Sequence, residues 1–269
     1  MSATPRFVDR YFDSTSDGFT PLPHSHAPWG DDMLHGRLLG GLAARSLDAA
    51  LGEPGWRAAR LTMDLFRPAG MTPVSVEVRP VRTGRRIRVA DAIVTSDGHE
   101  VGRGTGVFLA ESENPPGHIW RPDNEPWPDP ETMEAPPRAG STDHEGWLFR
   151  MVQGGFDTSN KTRVWTNETS HLVDDEPLSP FVRTTLSADI ACPLANSSDA
   201  GLHYINADFT LLLGRYPEGD WVGVEAAQQI QATGIAMSGS TLVDRQGPFA
   251  TSSGVSLARP PLFTEDTKG

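Results

Sequence analysis

With a single cysteine, Cys192, the chain can form no internal disulfide and no multi-cysteine zinc site. His24 and His26 offer two imidazoles without a third ligand, which is not a metal site; neither metal nor cofactor is expected. Basic residues are scarce: 23 Lys and Arg against 35 Asp and Glu leave a formal net charge of −12. That balance argues against nucleic acid or an anionic membrane as partner, since both select basic surfaces. No apolar run reaches the roughly 18 residues a membrane helix needs. The opening MSATPRFVDR lacks the apolar core of a secretory signal, so a cytoplasmic location is expected. A small anionic ligand stays open where basic residues gather, as at Arg82, Arg85, Arg86 and Arg88. Ile87 and Val89 alternate with Arg86 and Arg88, so that cluster reads either as a solvated strand face or as a contact for ligand phosphates.

What the chain does contain is itself, twice. Residues 61–110 lie over 209–258 without a gap, at a constant offset of 148 (Arg215 minus Arg67). The offset pairs Thr62 with Thr210, Leu65 with Leu213, Val76-Glu77 with Val224-Glu225 and Gly106-Val107 with Gly254-Val255. Solenoid repeats run at about 20–50 residues, so this period signals one complete fold used twice. Residues that break the symmetry are where chemistry is to be sought. Between the halves, 113–141 is dense in proline and acid and reads as a linker. Its Trp120 and Trp127 suggest that it packs along the surface. The expected division is therefore 1–112, 113–141 and 142–269.

Each half reads as a helix followed by strands. The first helix is predicted from Asp31 to Leu51, with Leu34, Leu38, Leu42 and Leu47 along one stripe. Gly40 and Gly41 beside Ala43 and Ala44 make a thin stretch that another backbone can approach. Strands are predicted near 59–67, 73–82, 86–96 and 101–110, with an Asp97-Gly98 hairpin turn. The second half offers a strand near 162–172, then Ser179-Pro180 as N-cap and first turn of a helix ending near Pro193. Its strands follow near 203–214, 221–231, 234–244 and 248–258. The class is α+β, two helix-plus-antiparallel-sheet units whose sheets can join edge to edge.

In the second helix Val182, Leu186, Asp189, Ile190 and Pro193 form the core stripe, and it contains a carboxylate. An ionised Asp is too costly to bury without partners, and the offset sets Asp189 over Gly41. It is either a functional acid or the cap of a neighbouring loop. Asn206, Asp208 and Thr210 alternate onto one strand face, which could hold water or simply meet solvent. Ser252, Gly254 and Ser256 share a face of the last strand. The WGDDMLHG segment opens the first helix, where backbone N–H groups of the positive helix end could polarise a carbonyl oxygen. His35 within it reads as structural or as a base.

The duplicated helix and sheet, WGDDMLHG, RLTMDLFRP, SADIACPLAN, YINADFTLLLGRYPEGDWVGVEA and GPFATSSGVSLARP resemble the thioesterase-like superfamily. The resemblance spans nearly the whole chain and implies a double hotdog with one continuous sheet, acting like the bacterial acyl-CoA thioesterase II group. It implies hydrolysis of acyl-CoA without cofactor, no covalent intermediate, and a place in fatty acid metabolism. The family's water-activating Asp falls on Asp189, its Thr on Asn206 and its Gln on Gly254, which has no side chain to offer. His35, Gly36, Gly40, Gly41, Thr210, Ser252 and Gly254 are then expected around the acyl thioester, with Arg86 and Arg88 at the CoA phosphates. A homodimer is the expected assembly. A non-catalytic acyl-CoA or acyl-carrier binder is the alternative raised by Gly254. A hotdog enoyl hydratase is the other, raised by Gly30-Asp31-Asp32-Met33-Leu34-His35.

Overall fold

A computed structural model describes residues 10–28, 30, 32–134, 146–156 and 158–259. In the first half, β1 (Arg10–Thr15) and β2 (Gly18–Pro21) precede α1 (Gly36–Leu51), then β3 (Trp56–Leu65), β4 (Val74–Thr83), β5 (Ile87–Ser96) and β6 (His99–Ala110). The second half opens with β7 (Trp147–Gln153), β8 (Arg163–Glu168) and β9 (His171–Val173). Two helices follow, α2 (Pro180–Ala188) and α3 (Ala191–Asn196), with a small hairpin of β10 (Ser197–Ser198) and β11 (Gly201–Leu202). The remaining strands are β12 (Tyr204–Asn206), β13 (Asp208–Leu213), β14 (Trp221–Ala232), β15 (Ile235–Asp244) and β16 (Gly247–Ala258).

One 14-stranded sheet runs in the order β7-β8-β14-β15-β16-β13-β3-β6-β5-β4-β2-β1-β9, with β12 paired to β16. The order is nearly palindromic about β13 and β3, where the two halves join edge to edge and each hides an edge that would otherwise template aggregation. Their antiparallel register sets Asp208 opposite Asp64, Thr210 opposite Thr62 and Leu212 opposite Arg60. Since 60 + 148 is 208 and 64 + 148 is 212, repeat-equivalent residues exchange places across the Thr62–Thr210 pair. The fold therefore has a pseudo-two-fold axis through that pair, normal to the sheet.

An axis normal to the sheet reverses in-plane direction, so α1 and α2 run antiparallel on the sheet's inner face. They touch through the glycine pair: a Cβ on Gly40 would lie 3.5 Å from Thr185 Cγ2, and one on Gly41 2.8 Å from Leu186 Cδ2. Leu38, Leu42, Leu47, Phe181 and Leu186 are fully buried between helices and sheet. The first helix starts at Gly36, later than the pattern suggests. Leu34 N–H is held by Ala69 O and His35 N–H by Ser25 O, which keeps 34–35 extended. His35 is instead the N-cap, its Nδ1 accepting from Arg37 N–H at 3.3 Å.

The sheet curls around both helices until its ends meet. β8 near one end and β9 at the other are separated only by Thr169 and Ser170. The meeting point needs Gly146: at φ +89°, a Cβ there would sit 2.0 Å from Ser170 Oγ and 3.1 Å from Tyr11 Oη. A buried cluster locks the seam. Tyr11 on β1 donates its hydroxyl to Glu168 on β8 at 2.8 Å, and Arg37 from α1 bonds both. The Arg37 guanidinium also lies 4.0 Å from the Trp147 ring centroid.

Several expectations are revised. β1, β2 and β7, short and outside the repeat, had no sequence signal. The 203–214 strand is two strands, broken at Ala207, whose N–H bonds Val255 O while its own carbonyl accepts from Leu65. Of the 113–141 tryptophans, Trp127 packs on Trp165 with centroids 4.8 Å apart, but Trp120 is 83% exposed.

Candidate active site

The second helix breaks at Asp189, and Pro193 supplies the reason. Proline has no N–H for the carbonyl four residues back, and its ring crowds that carbonyl; here that is the carbonyl of Asp189. Carbonyls on both sides of the break accept hydrogen bonds from side chains of the sheet. Ser252 donates to Ala188 O at 3.0 Å, Asn206 to Asp189 O at 3.3 Å and Ser240 to Ala191 O at 3.4 Å. The break leaves Asp189 as the C-cap of α2, its side chain turned inward and the residue 8% exposed.

Asn206 holds the carboxylate as well as the carbonyl, its Nδ2 donating to Asp189 Oδ1 at 3.2 Å. Burial pushes the Asp189 carboxyl up to about 6, with the Arg37 charge and the Asn206 hydrogen bond pulling against it. Arg37 acts there because the antiparallel helices carry the C-terminal end of α2 to the first turn of α1. The site thus combines an acid able to exchange a proton near neutrality, an amide that fixes it, and the positive end of a helix.

The repeat isolates what is special about this half. Asp189, Cys192, Asn206, Ser238, Ser240, Ser252 and Ser256 sit at the offset over Gly41, Ala44, Ala58, Ala90, Ala92, Gly104 and Phe108. All but half-buried Asn206 are buried. Every position is polar in the second half and apolar or glycine in the first. The cysteine belongs to this polar layer, bonded to Ser256 and Asn196, and burial raises its thiol. Ser238, Ser240 and Arg37 were missed in the sequence. For the two serines, the offset against Ala90 and Ala92 was the signal available.

Not every expected residue comes to this place. Asn206, Ser252 and Gly254 face α2 and α3 with Asp189; His35 and Gly36 cap and begin α1. Thr210 does not, because the break at Ala207 shifts the alternation: its hydroxyl lies 3.1 Å from that of Thr62 on the outer face. Gly40 and Gly41 are taken up by Thr185 and Leu186 of α2 and by Phe209 and Leu172 of the sheet, as a core contact and not a ligand contact. Arg88 is committed to Glu53 and to Leu51 O, with its guanidinium 3.7 Å above the Trp56 ring, at the end of α1 far from Asp189. Arg86, just before β5, lies exposed on the same side. Trp29 and Asp31 lie outside the described residues. Among the described residues no group of His, Cys, Asp and Glu could hold a metal, and no helix is long and apolar enough to cross a membrane.

Comparison with known proteins identifies the family. The acyl-CoA thioesterase N-terminal domain model matches residues 25–109, and the acyl-CoA thioesterase C-terminal domain model matches 120–257. Among solved structures, the tesB protein of Mycobacterium avium subs paratuberculosis is similar at 16% identity and TM-score 0.67, over 89% of this chain and 90% of that one. The acyl-CoA thioesterase II TesB2 of Mycobacterium marinum shares 16% identity at TM-score 0.63, covering 84% and 90%. A hot dog fold protein from Alicyclobacillus acidocaldarius shares 20% at TM-score 0.68, covering 88% and 91%. No curated protein matches significantly. The chain belongs to the acyl-CoA thioesterase family, as a double hotdog hydrolase acting on thioesters.

Proposed function

We propose that the protein hydrolyses acyl-CoA thioesters to free acid and CoA, with Asp189 as general base on water. The observation that carries this reading is the buried Asp189 carboxylate bonded to Asn206, within a polar layer whose repeat equivalents in the first half are apolar or glycine. Asp189 takes a proton from water as the water oxygen bonds to the thioester carbonyl carbon. The carbonyl oxygen becomes an oxyanion facing the first turn of α1, where Gly36 N–H and the helix dipole stabilise it. When the intermediate collapses, the C–S bond breaks and the CoA thiolate takes the proton back from Asp189. No covalent acyl-enzyme forms. Cys192 is held as a buried thiol and is no nucleophile.

Thiol release measured across a series of acyl-CoA chain lengths, with wild type and Asp189→Asn side by side, tests the reading. Hydrolysis by the variant at the wild-type rate would remove Asp189 as base. Gly254 motivates the second reading, an acyl thioester binder; tight acyl-CoA binding with no thiol release would favour it. The assembly we propose is a homodimer in the cytoplasm. Ile230, Ile235, Val255 and Leu257 stand exposed together on the outer face of β14–β16, a patch that a second copy would cover. Light scattering at several concentrations reads the mass directly.

A further inference from the structure

The axis that brings the end of α2 to the start of α1 also brings the end of α1 to the start of α2. A cavity of about 370 Å³ opens there, lined among others by Asp48, Glu176, Trp56, Phe181 and Val182. At the offset, Asp48 answers to Asn196, Trp56 to Tyr204 and Val182 to Leu34, so the cavity lies beyond the position equivalent to Asp189. The first half has no equivalent of the Asp189–Asn206 pair, since Gly41 and Ala58 stand at those positions and neither lines this cavity. What it has instead is an apolar wall of Trp56, Leu172, Val173, Leu178, Phe181 and Val182 under an acidic rim.

The rim's charges are not equivalent. Glu176 is neutralised by Arg45 at 2.6 Å, and Glu53 by Arg88. Among the described residues Asp48 forms no ion pair; it is hydrogen-bonded to Ser179 and half-buried at the cavity wall. Its carboxylate has room because the next residue along the wall is Gly52, where a Cβ would stand 2.8 Å from Asp48 Oδ1. A carboxylate without a cation above an apolar pocket selects a ligand with a positive head and an apolar tail. The same charge repels CoA phosphates, so the cavity does not suit a CoA thioester.

We propose that this cavity binds a small primary amine with an apolar tail, its ammonium paired with Asp48 and its tail against Trp56 and Phe181. The proposal does not rest on the thioesterase reading.

Calorimetric titration of the full chain with n-octylamine, n-octanol and n-octanoate tests it, alongside Asp48→Asn and Ala49→Trp. Ala49 is exposed at the cavity mouth, so the tryptophan closes the opening with little demand on folding. The expected result is one saturable site for octylamine, weakened about tenfold or more in Asp48→Asn, lost in Ala49→Trp and not filled by octanoate. Equal binding by Asp48→Asn would mean amine scattered over an acidic surface and would overturn the proposal. So would octanoate binding as well as octylamine, or no saturable binding at all. Thioester hydrolysis by both variants at the wild-type rate shows that the two sites are separate.

Discussion

Thr62 and Thr210, whose hydroxyl oxygens lie 3.1 Å apart, are the same residue of two repeats facing each other across the middle of one sheet. The contact fixes where the duplication axis runs, and with it the direction of every other element. Both helices must be antiparallel, each with its end beside the other's beginning. A duplicated fold therefore has two equivalent places for a site. Only one received a buried acid, and the substitutions in the other (Gly41, Ala58, Gly104) are those that fill a core.

Replacing Asp189 with Asn should trade activity for stability. Loss of a general base typically costs about 10²–10⁴-fold in rate. The folded carboxyl binds its proton more tightly than the unfolded one, with its pKa raised from 3.8 to about 6. Its favourable contribution is fully present below the unfolded pKa and is lost as pH rises through about 6. Above that, the buried charge costs on the order of 3 kcal/mol. Urea unfolding should show Asp189→Asn more stable than wild type at pH 8, and the difference should vanish toward pH 4. A variant less stable at pH 8 would mean that the carboxylate is a structural anchor.

On the proposed mechanism the same group sets the pH profile. Water activation needs Asp189 ionised, so kcat/KM should rise with pH through about 6 and level off above it. Asn206→Ala removes a hydrogen bond to the charged form, so the acid limb should move to higher pH as the plateau falls. A lower plateau with an unmoved midpoint would give Asn206 some role other than holding this carboxylate.

The sequence shows its repeat plainly because strands in a packed sheet keep their spacing, and β3–β6 and β13–β16 fall close to the predicted bounds. Asp189 was legible for a related reason: a charge in an apolar stripe contradicts the pattern around it. Three things were not legible. Pro193 was read as the end of a helix, when its effect lies four residues earlier, at the carbonyl it crowds. The alternation of Asn206, Asp208 and Thr210 assumed a continuous strand, and one irregular residue, Ala207, turned Thr210 to the opposite face. The seam of Tyr11, Arg37 and Glu168 joins residues 157 and 131 apart, with no local pattern to announce it.

That seam should behave as one unit. Removing one partner from a buried ion pair leaves an uncompensated charge, at a cost of about 3–5 kcal/mol. Glu168→Gln and Arg37→Met should each lower stability in urea by roughly that amount, while the double variant should be far less damaged than their sum. Additive losses would show that the two side chains act independently. Because Arg37 also acts on Asp189, Arg37→Met should in addition shift the acid limb of activity to higher pH, which a purely structural role would not do.

Gly254 yields the sharpest test of whether a third side chain belongs in this site. The resemblance places a glutamine there, and restoring it looks like an obvious improvement. The local backbone forbids it: a Cβ on Gly254 would stand 2.5 Å from Asp208 O and 3.3 Å from Phe209 Cα. Those are backbone atoms, held by the pairing of β13 with β3 and of Ala207 with Val255, so they cannot move aside as a side-chain tip would. Gly254→Ala should therefore already cost about 1–3 kcal/mol through overpacking, and Gly254→Gln should melt lower still without raising kcat. A Gly254→Gln variant that folds as well as wild type and turns over faster would show that β13 can yield there. The Asp189–Asn206 pair would then be an incomplete version of the family's machinery, and no longer one built to work without the third side chain.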